Sequence, residues 1–217
     1  EVTPASGPPG KLLATLVGHT SGVGGVALSA DGRLVASGSF DGTIKLWETT
    51  SAQLLATLQG HTAGVRDVAL TGSGDLIASC SYDGTIRIWQ TESGRMLATL
   101  RGHTSGVRGV ALSSNGQVLA SGSYDGTVRV WDAATGRQLR LMEGHAGGVW
   151  SVAVSADAQL VASGSFDGTI KLWETTSGAP LRTFQAQINE VWGVALSADG
   201  RLVASGSYDG SGTMRVW

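Results

Sequence analysis

The sequence predicts an all-β protein built from copies of one unit, each a meander of four short antiparallel strands. The first observation is a strict repeat, because Gly-His returns every 42 residues, at 18–19, 60–61, 102–103 and 144–145. The second is the pattern inside each unit, where short runs of apolar and β-branched residues are separated by glycine turns. The third is composition: 33 of the 217 residues are glycine and only 15% are charged, which favours tight turns over long solvated helices.

The elements of a unit follow one another in a fixed order. A short apolar strand comes after Gly-His, then a turn, a second strand, a second turn, a third strand with period-two alternation, and a closing strand. Examples of these six segments are VRGVAL (107–112), SADG (29–32), LVAS (34–37), FDG (40–42), TIKLW (43–47) and LLATL (54–58). Because the connections are tight glycine turns, each strand is expected to pair with the one before it.

The units are close copies, and their combined motif identifies a family. The stretch LVASGSFDGTIKLWETTS stands unchanged at 34–51 and 160–177. The pattern GH…SADG…LVASGS…DGTIKLWE resembles the WD-repeat (Trp-Asp repeat) β-propeller family over about 11–217. Only Trp131 is followed by a literal Asp. The resemblance implies a ring of four-stranded blades around a channel, with five blades here where family members usually have seven.

The ends of the chain bear on whether such a ring closes. Residues 1–10 have the composition of a linker, and 11–217 form the predicted β-propeller of five repeats. In the family the LLATL-type strand is the outer strand of the preceding blade. The strand at 12–16 is therefore expected to complete the last blade and close the ring, leaving no unpaired edge. A closed ring predicts a monomer; a fragment of a larger ring predicts an oligomer.

The resemblance also implies a buried hydrogen-bonded tetrad of His, Ser, Asp and Trp in each blade. The four complete sets are His19, Ser37, Asp41 and Trp47; His61, Ser79, Asp83 and Trp89; His103, Ser121, Asp125 and Trp131; and His145, Ser163, Asp167 and Trp173. The fifth unit has Ser205, Asp209 and Trp217, but Gln187 replaces His and Ser211-Gly212 lengthens its last turn.

Several other chemistries fit the sequence poorly. Ser, His and Asp together suggest a hydrolase, but an enzyme needs one exposed site rather than four equivalent copies, and no G-x-S-x-G elbow is present. The histidines lie in separate blades without metal-ligand spacing, so neither a metal nor a cofactor is expected. The lone Cys80 is expected to be an inert buried thiol. A net charge of −2, with no base-reading module, argues against nucleic acid and membrane partners.

Two variable positions per unit indicate where a partner would bind. The resemblance places the residue before the tetrad Asp, and the residue after the first inner-strand Val, at the mouth on one face of the ring. Glu190 lies near the last unit's mouth residues. The first position holds Phe40, Tyr82, Tyr124, Phe166 and Tyr208, and the second holds Gly24, Arg66, Arg108, Trp150 and Trp192. Aromatic residues and Arg dominate binding hot spots. The alternative is that the Phe and Tyr residues pack between blades and that the two Arg are solvated charges without a ligand.

The predicted function is a non-catalytic scaffold that binds a protein or peptide at the mouth. We expect the ligand to place an acidic group at Arg66 and Arg108, and an apolar side chain between Trp150 and Trp192. The alternative is a lectin-like propeller that binds a small glycan. The linker-like residues 1–10, together with a resemblance that extends to propellers of multidomain signalling proteins, lead us to expect a module of a larger signalling protein. We expect it to be cytoplasmic, because the sequence has no signal peptide and no membrane-spanning run.

Overall fold

Every regular element that the structure describes is a β-strand, as the sequence predicts. The structure is a computed structural model, and it describes residues 12–185, 190–207 and 214–217. Their 19 strands form five antiparallel sheets, four with four strands and one with three. Each sheet is a meander in chain order. In the described part of the chain, no helix has the length and apolar character needed to span a membrane.

Each sheet is one blade, and the strands run from the inner to the outer edge. Blade 1 contains β1 (Val23–Leu28), β2 (Leu34–Ser39), β3 (Ile44–Glu48) and β4 (Leu54–Leu58). Blade 2 contains β5 (Val65–Leu70), β6 (Leu76–Ser81), β7 (Ile86–Gln90) and β8 (Met96–Leu100). Blade 3 contains β9 (Val107–Leu112), β10 (Val118–Ser123), β11 (Val128–Asp132) and β12 (Gln138–Met142).

The last two blades differ in size. Blade 4 contains β13 (Val149–Val154), β14 (Leu160–Ser165), β15 (Thr169–Glu174) and β16 (Pro180–Gln185). Blade 5 contains β17 (Val191–Leu196), β18 (Val203–Ser207) and β19 (Met214–Val216). The offset between sequence repeat and blade is confirmed, because LLATL at 54–58 is the outer strand of the blade that precedes the next Gly-His.

The hydrophobic core lies between blades. The fully buried Ile44 of blade 1 shares a cluster with Val65 and Val68 of blade 2. Likewise, Ile86 of blade 2 packs with Val107 and other side chains of blade 3. Both faces of the second strand of an internal blade are therefore covered, and β6, β10 and β14 are buried almost throughout.

The predicted closure of the ring is not seen. Residues 12–22 belong to no strand, and Leu12 and Leu13 are 76% and 69% exposed. Among the described residues, blade 5 has no fourth strand, and the strand expected at 12–16 does not pair with β19. Closure by the N-terminal segment therefore stays a prediction.

Candidate functional site

The four predicted tetrads are formed, and each is a continuous chain of hydrogen bonds. In blade 2 the indole N–H of Trp89 donates to Ser79 Oγ over 2.9 Å. The same Oγ lies 2.9 Å from His61 Nε2, and His61 Nδ1 lies 2.8 Å from Asp83 Oδ2. The equivalent sets beginning at Trp47, Trp131 and Trp173 repeat these contacts.

The Asp83 carboxylate, which ends this series of hydrogen bonds in blade 2, has partners for both of its oxygens. Besides His61, Asp83 accepts bonds from the backbone amides of Thr62 and Thr85 and from the Thr85 hydroxyl, at 2.7–3.0 Å. Burial by itself raises the pKa of Asp83, but these hydrogen bonds outweigh it and bring the pKa down to about 2. Gly84 follows at φ +80°, a left-handed conformation that the tight turn requires and that glycine adopts without strain.

The ionised carboxylate determines the histidine tautomer. Because Asp83 accepts, Nδ1 of His61 carries the proton and Nε2 accepts from the Ser79 hydroxyl. Burial lowers the pKa of His61 despite the opposing effect of Asp83, so the neutral ring is favoured. The atom connectivity matches that of a hydrolase triad, but Ser79 is fully buried and its oxygen accepts from Trp89, so it is not available as a nucleophile.

The fifth set is only partly described. Gln187, Tyr208, Asp209 and Ser211-Gly212 lie outside the described residues. Ser205 is 5% exposed, as the tetrad position requires. The indole nitrogen of Trp217 is buried and has no hydrogen-bond partner among the described residues. Within that part of the chain, no three His, Cys, Asp or Glu side chains come together as a metal site would need.

A β-bulge lies at the variable inner-strand residue of each blade. In blade 2, Val65 pairs with Ser81 and Asp67 pairs with Cys80, so Arg66 is the extra residue of the bulge. The other inner strands bulge in the same place, and the extra residues are Gly24, Arg108, Trp150 and Trp192. A bulge twists the strand and redirects one side chain, so these residues depart from the regular alternation of their strands.

The structure brings the residues that precede the tetrad Asp close to the extra residues of the inner-strand bulges. The Arg66 guanidinium lies 5.5 Å from the Phe40 ring centroid. Trp150 lies 5.7 Å from Phe166, centroid to centroid. Phe40, Tyr82 and Tyr124 form a stacked row with centroids 6.1–6.2 Å apart. We call the described residues of this surface the aromatic face: Phe40, Arg66, Tyr82, Arg108, Tyr124, Trp150, Phe166, Glu190 and Trp192.

Arg108 is packed into this surface rather than extended into solvent. Only 9% of it is exposed, its guanidinium carbon lies 3.7 Å from the Trp150 centroid, and Nη1 donates to the Tyr124 hydroxyl over 2.7 Å. Arg66 contacts Phe40, but its Nε is buried and has no hydrogen-bond partner in the described chain. The two arginines are therefore not equivalent.

Trp150 and Trp192 lie too close together to hold a ligand side chain between them, contrary to the expectation from the sequence. The Trp150 and Trp192 rings meet edge to face with centroids 4.9 Å apart, and the Trp192 indole donates to Glu190 over 3.0 Å. Because the rings touch, a ligand side chain would have to pack onto them from solvent rather than between them. Trp192 is 46% exposed and Phe166 is 52% exposed, so that outer surface is open.

One polar position at the blade junctions escaped the sequence analysis. Asp67 occupies the position of Gly25, Gly109 and Gly193, and it accepts a hydrogen bond from the backbone of the next blade. Ser151 does the same in blade 4, through Oγ. The signal in the sequence was a polar residue where three other units have glycine.

Comparison with known proteins agrees with the geometry. The family model described as WD domain, G-beta repeat matches residues 10–48, 52–90, 94–132, 136–174 and 178–217. A segment of 37 residues is 65% identical to part of the vegetative incompatibility protein HET-E-1 of Podospora anserina. The segment is 17% of this chain and 3% of that protein, so the chain matches only a small fraction of this relative's length.

Proposed function

The chain belongs to the WD40 repeat family, and on that premise we propose that it is a non-catalytic module that binds an extended peptide segment on the aromatic face. WD40 repeats generally mediate protein–protein interaction, and their domains are typically not enzymes. The proposal adds the binding surface and the kind of ligand.

The observation that carries the proposal is the exposure of aromatic rings on one surface. Phe40, Tyr82, Tyr124, Phe166 and Trp192 are 41%, 43%, 37%, 52% and 46% exposed. The first three stack in a row, the last two both contact Trp150, and Arg108 joins the two groups by contacting Tyr124 and Trp150. A contiguous exposed apolar patch on a soluble domain commonly marks an interaction site. Stacking also holds the rings in place, so little side-chain entropy is lost when a ligand covers them.

The different surroundings of Arg108 and Arg66 indicate what charge the ligand carries and where. Arg108 already stacks on Trp150 and bonds Tyr124, so it serves mainly to hold those rings. Arg66 lies at the edge of the row beside Phe40 and supplies a cation for an acidic group of the peptide. The ligand would then place its apolar side chains on Phe166 and Trp192, across the face from its acidic group.

The test is selection from a library of extended peptides, followed by affinity measurement with the selected sequences. We expect selected peptides to combine acidic and apolar residues. Trp192→Ala should weaken binding by about 2 kcal/mol or more if Trp192 is a hot spot. Arg66→Ala should weaken binding and flatten its salt dependence. Leu55→Ala, an equally exposed change on the outer strand of blade 1, is the matched control.

Two outcomes would contradict the proposal. One is a selected peptide whose affinity is unchanged by Trp192→Ala and Arg66→Ala but lost in Leu55→Ala. The other is a melting temperature that falls in Trp192→Ala while affinity is retained, since that would make Trp192 a packing residue.

A glycan-binding lectin is the second candidate. A cleft of about 400 Å³ lies between the turn at 82–85 and the loop at 101–106, and its lining is mostly polar. Sugars bind where aromatic faces and hydrogen-bonding groups meet, and Tyr82 adjoins this cleft. A glycan array separates the two functions: binding there that survives Trp192→Ala would favour the lectin.

We also propose that the domain works as a module of a larger cytoplasmic signalling protein. The support is its match to a short segment of a far longer chain. Co-purification of the domain's partner from cells, lost on Trp192→Ala, would connect this role to the aromatic face.

A further inference from the structure

Neighbouring blades meet through one recurring contact. In blades 1, 3 and 4, a glycine on the second strand faces two valines on the inner strand of the next blade. A Cβ added to Gly38 would lie 2.6 Å from Val65 Cγ1 and 2.9 Å from Val68 Cγ1. The glycine therefore forms a slot that the two valines fill, and they are buried to 0% and 4% exposure.

The same contact is built four times. Gly122 receives Val149 and Val152, with distances from an added Cβ of 2.5 and 3.0 Å. Gly164 receives Val191 and Val194 at 2.6 and 2.8 Å. Between blades 2 and 3 the slot residue is Cys80, which shares a buried cluster with Val107 and Val110.

Blade 1 exposes the valine half of this contact. Val23 and Val26 correspond to Val65 and Val68 in the repeat, yet they are 51% and 67% exposed. Leu28, on the same strand, is 62% exposed. We call Val23, Val26 and Leu28 the leading face.

Blade 5 exposes the glycine half. Nothing described lies within 4 Å of a Cβ added to Gly206 or Gly193. Met214 and Val216 correspond to Ile44 and Leu46, which are 0% and 3% exposed, but are themselves 72% and 58% exposed. With Gly193, Gly206 and Ala204, Met214 lines an open depression of about 360 Å³. We call Gly193, Gly206, Met214 and Val216 the trailing face.

We propose that the leading face of one copy of this chain docks on the trailing face of a second copy, as a fifth version of the internal blade junction. The residues match the junctions already built, because blade 3 presents Gly109 and Gly122 to Val149 and Val152 of blade 4. The free faces present Gly193 and Gly206 to Val23 and Val26.

The four internal junctions favour a second copy of this chain as the partner of the two free faces, because its contact would repeat theirs. Each internal junction is heterologous, joining two different surfaces, so a contact between the two free faces can be repeated from chain to chain. Such contacts close into a ring when the rotation per chain allows it, and extend otherwise. Both faces are mainly apolar, so contact with water costs free energy that docking removes.

The test begins with the mass of the 217-residue chain in solution, measured by analytical ultracentrifugation over a range of concentrations. A second copy predicts species at multiples of 22.2 kDa. A monomer at all concentrations overturns the proposal and would favour closure of the first blade on the last within one chain. Val26→Asp and Gly206→Leu each block one face, and each alone should be monomeric.

Mixing the two variants is the decisive step. Val26→Asp keeps an intact trailing face and Gly206→Leu keeps an intact leading face, so the mixture should form a 1:1 heterodimer and nothing larger. Association between two copies of either variant should be at least tenfold weaker than in the mixture. A mixture that stays monomeric, or variants that still assemble separately, would overturn the proposal.

Controls separate this result from misfolding. Leu97→Asp alters an equally apolar exposed residue on the outer strand of blade 2 and should leave assembly unchanged. Circular dichroism and tryptophan fluorescence check that each variant is folded. If Gly206→Leu fails that check, Met214→Asp blocks the same face at a position that is 72% exposed.

Discussion

Asp67 of blade 2 accepts a hydrogen bond of 3.2 Å at Oδ2 from the backbone amide of Val110 in blade 3. Its other carboxylate oxygen accepts from the Val68 amide over 2.9 Å. The residue therefore joins the inner strands of two neighbouring blades. Ser151 repeats the junction contact, with Oγ accepting from the Val194 amide over 3.1 Å. A charge at this junction has consequences for the pH dependence of stability.

Asp67→Asn should change how stability depends on pH. Burial raises the pKa of Asp67 to about 6, although the amides of Val110 and Val68 oppose the shift. The folded chain therefore binds this proton more tightly than the unfolded chain. The stabilisation is complete below about pH 4 and is lost as the pH rises through 6.

Removing this titration should make the variant gain about 2–3 kcal/mol relative to wild type between pH 4 and pH 7. Urea unfolding at the two pH values measures the difference. Asp75→Asn, an exposed carboxylate of the same blade, is the control. Equal pH dependence in wild type and Asp67→Asn would show that the carboxylate is already solvated.

The tetrad carboxylates should make the fold sensitive to acid. Burial opposes ionisation of Asp41, Asp83 and Asp125, but hydrogen bonds to each carboxylate lower the pKa below its ordinary value. Their stabilisation is therefore complete above about pH 4 and is lost as the pH falls through the folded-state pKa. Measured in the Asp67→Asn background, unfolding free energy should fall steeply between pH 4 and pH 2, and a flat profile there would contradict the tetrad assignment.

His103→Ala should destabilise the fold by about 1–3 kcal/mol, because it removes the hydrogen bonds that join His103 to the buried Ser121 and to Asp125. Chemical unfolding measures the loss. Thr104→Ala, at the exposed neighbouring position, should have little effect. Equal effects of the two changes would mean that the hydrogen bonds of the tetrad make no net contribution to the free energy of unfolding.

Arg108→Ala should lower stability, whereas Arg66→Ala should have a smaller effect. From the sequence, both arginines were expected to point into the mouth. The structure stacks Arg108 on Trp150 and bonds it to Tyr124, so its removal costs packing as well as a hydrogen bond, about 1–2 kcal/mol. Thermal unfolding of both variants provides the comparison. The reverse order would contradict the buried position of Arg108.

Cys80 should be unreactive in the folded protein. It is fully buried in the junction between blades 2 and 3, and burial raises the pKa of its thiol far above the usual range. A thiol reagent should therefore label it only when that junction opens, and the labelling rate in dilute urea reports the opening. Labelling at the rate of a free thiol in buffer would contradict the packed junction.

The strands, turns and tetrad residues of each blade could be predicted from the sequence, because they depend on residues within one repeat. The Gly-His and Asp-Gly turns, the strand alternation and the tetrad residues all recur within one unit, and the structure forms all four predicted complete tetrads. The outer strand at 12–16 could not be read in this way. Its pairing depends on a sheet edge at the opposite end of the chain, and the described residues do not form it.

The sequence by itself determined the strand order within each blade, since the turns act over a few residues. The prediction that the variable residues share one face came from the family resemblance. Only the tertiary structure decided that Arg108 is packed while Arg66 is peripheral, and that Asp67 bonds the next blade. It also decided that Gly206 and Val26 lack the partners that Gly38 and Val68 have. Apart from the Arg108–Tyr124 bond within blade 3, these contacts depend on residues of different blades, where near-identical segments meet different neighbours. No pattern within a unit therefore distinguishes them.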